Sequence, residues 1–268
     1  MDYGPDNYAG VTFSNTGSRR ILLGWMSNWM YADQVPTSEW RSAMTVPREL
    51  SLVKINGNAI LAETPVREVA RLIDKDVIVP IDQQAKQTEL AGSPKAKQTE
   101  RARNSTANNT DYPTNTKAKQ TEHSANSTTK QLDLSANLAE STGLYRISFD
   151  ATAKHPVSVT LSNNKQQQVI IGFDPAKNEF YIDRSLSGNK DFNPGFFKRS
   201  TASRVSNAQT LHVDLLIDHA SVELFADNGT TVMTAIFFPD EVFKKVTLEF
   251  SDQKSLSNVR IANVRPAW

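Results

Sequence analysis

The sequence predicts an all-β protein in which a short strand-rich unit precedes a larger β-sandwich. Two observations lead to this fold class. Residues 1–62 contain several short β-rich runs separated by turn signals, and four such strands suit one blade of a β-propeller. From Gln131 onward, apolar or alternating runs of strand length recur between turns without a helical period, which is typical of a sandwich.

Turn residues separate the strands of the predicted blade. Asn15-Thr16-Gly17 supplies a turn, and Asn56-Gly57 is a strong hairpin signal. The β-rich runs are residues 7–13, 20–26, 43–47, 49–55 and 59–61. A single blade leaves both of its faces open where neighbouring blades would pack, so we expect it to be poorly stable without the rest of a propeller.

A short helical pattern follows the blade. Thr64 suits a helix N-cap and Pro65 the first helical position, before apolar residues at helical spacing from Val66 to Ile73. We therefore predict a blade unit over residues 1–63, a linker over 64–80 and a sandwich over 81–268.

A low-complexity insertion, residues 84–130, interrupts the sandwich. The peptide AKQTE occurs there at 85–89, 96–100 and 118–122, among Asn, Thr, Ser, Lys and Gln. This composition offers little apolar surface to offset chain entropy, which predicts weak order. A linker, a lineage-specific insertion and a sequence artefact remain open as its origin.

The predicted sandwich strands show period-two alternation and hairpin turns. Leu211, Val213, Leu215 and Ile217 alternate with polar residues, which predicts a half-buried strand. Residues 227–229, Asp-Asn-Gly, predict the turn of a later hairpin.

Composition excludes several classes of function. A net charge of +1 gives no electrostatic basis for binding nucleic acid or an anionic membrane surface. Zero cysteines exclude disulfides and thiolate chemistry, and the four histidines lack metal-ligand spacing, so we expect no metal and no cofactor. No apolar run approaches a membrane span, and no leader follows Met1. The sequence does not indicate a localisation, and we expect an extracellular or periplasmic one if the parent protein is secreted.

The first fifty residues have the composition of a sugar pocket. Three of the four tryptophans, Trp25, Trp29 and Trp40, lie there among carboxylates, amides and arginines. Aromatic rings stack on the apolar face of a sugar, and polar groups bond its hydroxyls. The alternative is a strand-rich core in which the tryptophans simply pack.

The order of the motifs resembles that of one enzyme family. DYGPDNYAGVTFSN, RRILLGWMSNW and PTSEWRSAMTVPREL, and later FYIDRS, SVELFADNG and IFFP, resemble glycoside hydrolase family 32, the β-fructosidases (invertases, inulinases and levanases). The resemblance implies a five-bladed β-propeller followed by a β-sandwich, with this chain starting in the last blade. It also implies fructose-containing oligo- or polysaccharides as substrates.

Four substrate-binding residues are implied by the resemblance: Asp6, Tyr8, Trp29 and Trp40. Asp6 and Tyr8 match a D-x-Y-A element that borders the fructose pocket in this family. Trp29 and Trp40 match tryptophans of the pocket wall. Trp25, after an apolar run, is interpreted as a core residue.

Other charged residues favour structural roles. We interpret Arg41 and Arg48 as arginines that fix carboxylates between blades. Asp183 and Arg184 suggest a salt bridge at a strand end, and Glu223 a solvent-facing strand position.

The resemblance also implies that catalytic residues lie outside this sequence. Family 32 enzymes are retaining glycosidases, which use two carboxyl groups about 5 Å apart. The family carries its carboxylates in WMNDPNG-like, RDP and EC motifs, and none of these occurs here. Asp2 and Asp6 would be roughly 13 Å apart in an extended strand, although Gly4-Pro5 could shorten this. We assign no catalytic residue and expect the three motifs upstream.

Three hypotheses follow. The chain is the C-terminal segment of a fructan- or sucrose-cleaving hydrolase that needs an upstream propeller portion. Alternatively, it is a non-catalytic module whose sandwich binds fructan or mediates homodimer formation. In the third, it is a truncated product that associates through its exposed blade.

Overall fold

The computed structural model describes residues 1–81, 86–88, 129–138, 143–188 and 191–266. Most of the predicted 84–130 insertion, including the second and third AKQTE repeats, lies outside the described residues, whereas residues 86–88 of the first repeat are described. No helix in these ranges is long and apolar enough to cross a membrane.

The N-terminal strands form one antiparallel sheet, as predicted for a blade. Its strands are β1 (Tyr8–Thr12), β2 (Ile21–Met26), β3 (Ala43–Met44), β4 (Arg48–Ile55) and β5 (Asn58–Pro65). They pair in the order β1-β2-β4-β5, with β3 on the end of β2. The hairpin at Asn56-Gly57 is confirmed: Ile55 pairs with Asn58, and both turn residues have positive φ, as a type I′ turn requires.

The predicted N-cap after the blade is wrong. Thr64 and Pro65 continue β5, where they pair with Glu49 and Arg48. A helical turn does follow, but it is a 3₁₀ helix over Arg67–Arg71, and no side chain caps its start. The ladder partners of Thr64 lie on β4, so strand pairing overrides the local capping signal.

The remaining strands form a sandwich of two sheets in the described residues. The seven-stranded sheet has the order β13-β12-β11-β10-β17-β8-β7 and the six-stranded sheet the order β16-β15-β14-β9-β18-β6. Their bounds are β6 (Val77–Ile78), β7 (Lys86–Thr88), β8 (Thr129–Asp133), β9 (Tyr145–Thr152), β10 (Val157–Ser162), β11 (Gln168–Asp174), β12 (Glu179–Leu186), β13 (Arg199–Ser203), β14 (Thr210–Asp218), β15 (Ser221–Ala226), β16 (Thr231–Ile236), β17 (Lys245–Phe250) and β18 (Leu256–Asn263).

The main hydrophobic core lies between these two sheets. The four alternating residues of β14 are all buried there, as the period-two pattern predicts. The turn at residues 227–229 does connect β15 to β16.

A second apolar cluster joins the blade to the sandwich. It consists of Met26, Tyr31 and Val35 from the blade side and Phe196 and Ile236 from the sandwich. The start of the chain also reaches across, because Asp2 forms a parallel bridge with Val232 of β16. These contacts hold the aromatic residues of the blade in a fixed position relative to the sandwich.

Candidate functional site

Tyr8, Trp25 and Trp29 form an exposed group of rings that we call the aromatic face. The Trp29 ring centroid lies 5.1 Å from that of Trp25 and 6.4 Å from that of Tyr8, and Tyr8 lies 6.2 Å from Trp25. Trp29 is 70% exposed and Tyr8 52%. Trp25, predicted as core, is only partly buried and supports the other two rings. The structure thus brings together two of the predicted site residues, Tyr8 and Trp29.

Trp40 lies at a different place on the blade. Its ring contacts Phe238 of the sandwich, at 6.4 Å between centroids. It lines a cavity of about 280 Å³ between blade and sandwich, which we call the Trp40 cleft. Neither Tyr8 nor Trp29 lines that cleft. The resemblance to the family did not predict this separation.

Asp6 lies beneath the surface instead of lining a pocket. Its side chain is fully buried, and Arg184 donates to its Oδ2 at 2.6 Å, as does the backbone N–H of Ile236 at 2.9 Å. The Tyr31 hydroxyl donates to Oδ1. Because protein donors occupy both oxygens, Asp6 is in position to orient the loop before Tyr8, and direct contact with a ligand is not open to it.

Arg184 and Tyr31 complete this buried group. Arg184 is almost fully buried, donates to the Phe196 carbonyl at 2.7 Å and lies 3.7 Å above the Phe196 ring. Burial, and then the Asp6 carboxylate, raise the pKa of Tyr31, which keeps its hydroxyl protonated as a donor. The predicted strand-end pair of Asp183 with Arg184 is therefore wrong, because the partner of Arg184 is Asp6, on the blade side.

A second buried arginine, Arg48, binds three carboxylates. Its Nη1 lies 2.8 Å from Asp2 Oδ2 and 3.0 Å from Glu63 Oε2, and its Nη2 lies 2.5 Å from Glu223 Oε2. The role predicted for Arg48 is correct in kind, although it joins blade to sandwich and not blade to blade. Arg41 differs, since it donates to the backbone carbonyl of Asp33.

The prediction that Glu223 occupies a solvent-facing strand position is wrong. It is 4% exposed, because the blade covers the face of β15 that carries Glu223 and Phe225. Burial raises the pKa of Glu223 despite the nearby Arg48 charge. Burial alone would raise the pKa of Asp2 too, but the Arg48 charge and hydrogen bonds from Thr234, Arg48 and Gly4 outweigh it and lower that pKa.

Asp2 and Asp6 do not pair with each other. Asp2 and Asp6 bind different arginines, and both side chains are closed to solvent. Asp2, Glu63 and Glu223 do meet at one guanidinium, but they lie inside the interface, where no sugar can reach them. Their arrangement supports a structural role at this interface.

Comparison with known proteins identifies the family. Residues 1–65 match the model of the glycosyl hydrolases family 32 N-terminal domain, and residues 98–264 match that of the glycosyl hydrolases family 32 C terminal. The chain is 32% identical to a levanase of Bacillus subtilis over 92% of its length, and 27% identical to an extracellular exo-inulinase of Aspergillus niger over 89%. It spans 31% and 37% of those two proteins.

Solved structures agree on the fold. An exo-inulinase from Aspergillus awamori superposes with a TM-score of 0.69 at 21% identity, covering all of this chain and 45% of that one. A β-fructofuranosidase from Schwanniomyces occidentalis, complexed with fructosyl-erythritol, gives 0.65 at 22% identity, covering 99% and 49%. The propeller-blade and sandwich architecture predicted from the sequence is thereby confirmed, and the number of blades stays a prediction. This chain belongs to glycosyl hydrolase family 32.

Proposed function

We propose that the chain forms the C-terminal part of a retaining β-fructosidase that releases terminal fructosyl units from sucrose or a fructan. In this role Tyr8, Trp29 and Trp40 contact the sugar, and Asp6 is a positioning residue. The observation that carries the proposal is the aromatic face, since large rings are left exposed beside one another on a blade of this family. Sugar rings bind to such surfaces by stacking.

The catalytic carboxylates are proposed to come from residues outside this sequence. Two observations support this. The WMNDPNG, RDP and EC motifs are absent, and Asp2 and Asp6 are both engaged by buried arginines. We therefore expect the chain by itself to bind a fructan without cleaving it. A non-catalytic fructan-binding module is the second candidate, and the same exposed rings favour it.

The test measures cleavage and binding on the purified full chain. Fructose release from sucrose, inulin and levan is assayed, and binding of each is measured by isothermal titration calorimetry. We expect no release above the blank, and saturable binding that Trp29→Ala weakens about tenfold or more, the scale of one lost stacking contact. Tyr3→Ala is the matched control, because Tyr3 is also half exposed but belongs neither to the aromatic face nor to the lining of the Trp40 cleft.

The outcomes separate the two parts of the proposal. Fructose release that Trp40→Ala abolishes would overturn the assignment of the carboxylates to other residues. The complete absence of binding by the wild-type chain would remove the proposed sugar contact. Equal binding by the Trp29→Ala and wild-type chains would move the contact away from the aromatic face.

A further inference from the structure

The Trp40 cleft has an apolar wall and a polar wall that come from different parts of the chain. Trp40, 48% exposed, and Phe238 form the apolar wall, with their rings tilted by 41°. The hairpin between β14 and β15 contributes polar lining residues, Asp218, His219 and Ser221. A cavity lined by an indole and a few polar groups is typical of a sugar site.

Asp218, His219 and Ser221 of the hairpin line this cleft, and the edge of the His219 ring also lies against Gly143. Asp218 pairs with Ser221 at the end of the ladder, so His219 and Ala220 make a two-residue turn. The His219 backbone N–H donates to Asp218 Oδ1 at 2.6 Å. Within the described part of the chain, Asp218 Oδ2 has no hydrogen-bond partner, and both side chains are about half exposed. Together they offer a sugar an acceptor and an imidazole.

The size and backbone of the cleft agree with a small ligand. Its volume of about 280 Å³ is near the lower end of the range for small-molecule sites, which suits one or two sugar rings. Ser42, which also lines the cleft, has a φ of +64°. Non-glycine residues in this conformation are uncommon and cluster at ligand sites.

We propose that Asp218 and His219 hydrogen-bond the hydroxyls of a sugar ring that stacks on Trp40, so the sandwich takes a direct part in recognising the substrate. This inference rests on the proposed function, because it names the second wall of a site whose first wall is Trp40. It gives the sandwich a binding role in addition to its support of the blade.

The test follows each tryptophan separately. The full chain is labelled with 5-fluorotryptophan, and its four ¹⁹F signals are assigned with single Trp→Phe variants. Sucrose and the trisaccharide 1-kestose are then titrated into the wild type and into Asp218→Asn, His219→Ala and His155→Ala. His155 is the matched control, since it does not line the cleft.

We expect the Trp40 signal to shift on titration, and its apparent Kd to rise about three- to tenfold in Asp218→Asn and His219→Ala, as for the loss of one hydrogen bond. His155→Ala should match the wild type. A Trp40 shift with unchanged Kd in both cleft variants would overturn the inference and leave the proposed function standing. Shifts at Trp29 alone would also overturn it, whereas no shift at any tryptophan would overturn both.

Discussion

Arg48 is the residue on which the contact between blade and sandwich most depends. It is fully buried, and its guanidinium is the shared partner of Asp2, Glu63 and Glu223. A buried ion network contributes little net stability over an apolar core, but removing one partner leaves the other charges unpaired and is costly.

We therefore predict that Arg48→Met lowers the free energy of unfolding by about 3–5 kcal/mol. Methionine keeps much of the side-chain volume and removes the charge. Urea denaturation followed by circular dichroism measures the change. Arg20→Met is the control, because Arg20 is exposed and should change stability by less than about 0.5 kcal/mol. Equal midpoints for the two variants would contradict the assignment.

Glu223 gives this network a pH dependence. Its pKa in the folded state lies above the ordinary value of about 4.5. At pH values between the ordinary and the raised pKa, the folded chain therefore keeps a proton that the unfolded chain has lost. The stabilisation from this proton is present below about pH 4.5 and fades as the pH rises through the folded-state pKa. Asp2 has the opposite sign, since its lowered pKa contributes stability that is lost in acid.

Glu223→Gln tests this sign. The amide resembles the protonated carboxyl and does not titrate, so the stability of the wild type relative to the variant should decrease as the pH rises from about 4.5 to about 8. Thermal unfolding of both chains across that range provides the comparison. A difference that stays constant, or grows with pH, would show that the Glu223 pKa is not raised.

At the scale of elements, the β15–β16 turn of the sandwich lies directly against the backbone of the blade. Gly229 has a φ of +80° and accepts a hydrogen bond from the Glu63 backbone N–H at 2.9 Å. A Cβ at this position would lie 2.0 Å from the Glu63 carbonyl oxygen. The turn therefore requires glycine for both its conformation and its contact.

Gly229→Ala should destabilise the chain more than Gly17→Ala does. Gly17 has a φ of +66°, but no atom lies within 4 Å of the position that a Cβ would take there, so alanine meets only the conformational cost of about 1–2 kcal/mol. The clash with Glu63 adds to that cost at Gly229. Chemical denaturation measures the free energy of unfolding of both variants, and the difference between their losses gives the cost of the contact with Glu63. Equal losses would mean that the turn shifts enough to relieve the clash.

For the whole molecule, the blade leaves apolar surface uncovered. All five residues of β1 are exposed, and β1 is the edge strand of its sheet. Val11 is 63% exposed, close to Phe13 and the aromatic face. An exposed apolar edge strand offers both unpaired backbone groups and apolar side chains to a second chain.

We predict concentration-dependent association of the purified chain through this edge, as in the hypothesis of a truncated product that associates through its exposed blade. Val11→Lys should shift sedimentation-velocity profiles toward the monomer, because charge on an edge strand disfavours pairing. Leu186→Lys, on the sandwich and 46% exposed, is the control. If Leu186→Lys breaks the association and Val11→Lys does not, the contact lies on the sandwich.

Much of the fold could be read from the sequence, because its signals are local. Strand alternation at Leu211–Ile217 and the turn signals at Asn56-Gly57 and Asp227-Asn228-Gly229 act between neighbouring residues, and the structure has each of them. The ordered motifs of the first fifty residues likewise indicate the family. The position of Arg184 after Phe180 and Ile182 in an inward-facing register was a further local sign of burial.

Only the tertiary structure decided which side chains are exposed and which are buried. Asp6 and Arg184 are 178 residues apart, and Arg48 and Glu223 are 175 apart, so their pairing depends on how the blade docks on the sandwich. The same docking buries Glu223, removes Asp6 from the surface and places Trp40 in a cleft apart from Tyr8 and Trp29. Local sequence patterns determine where the strands lie, whereas the packing of the blade against the sandwich determines which side chains are exposed at the candidate site.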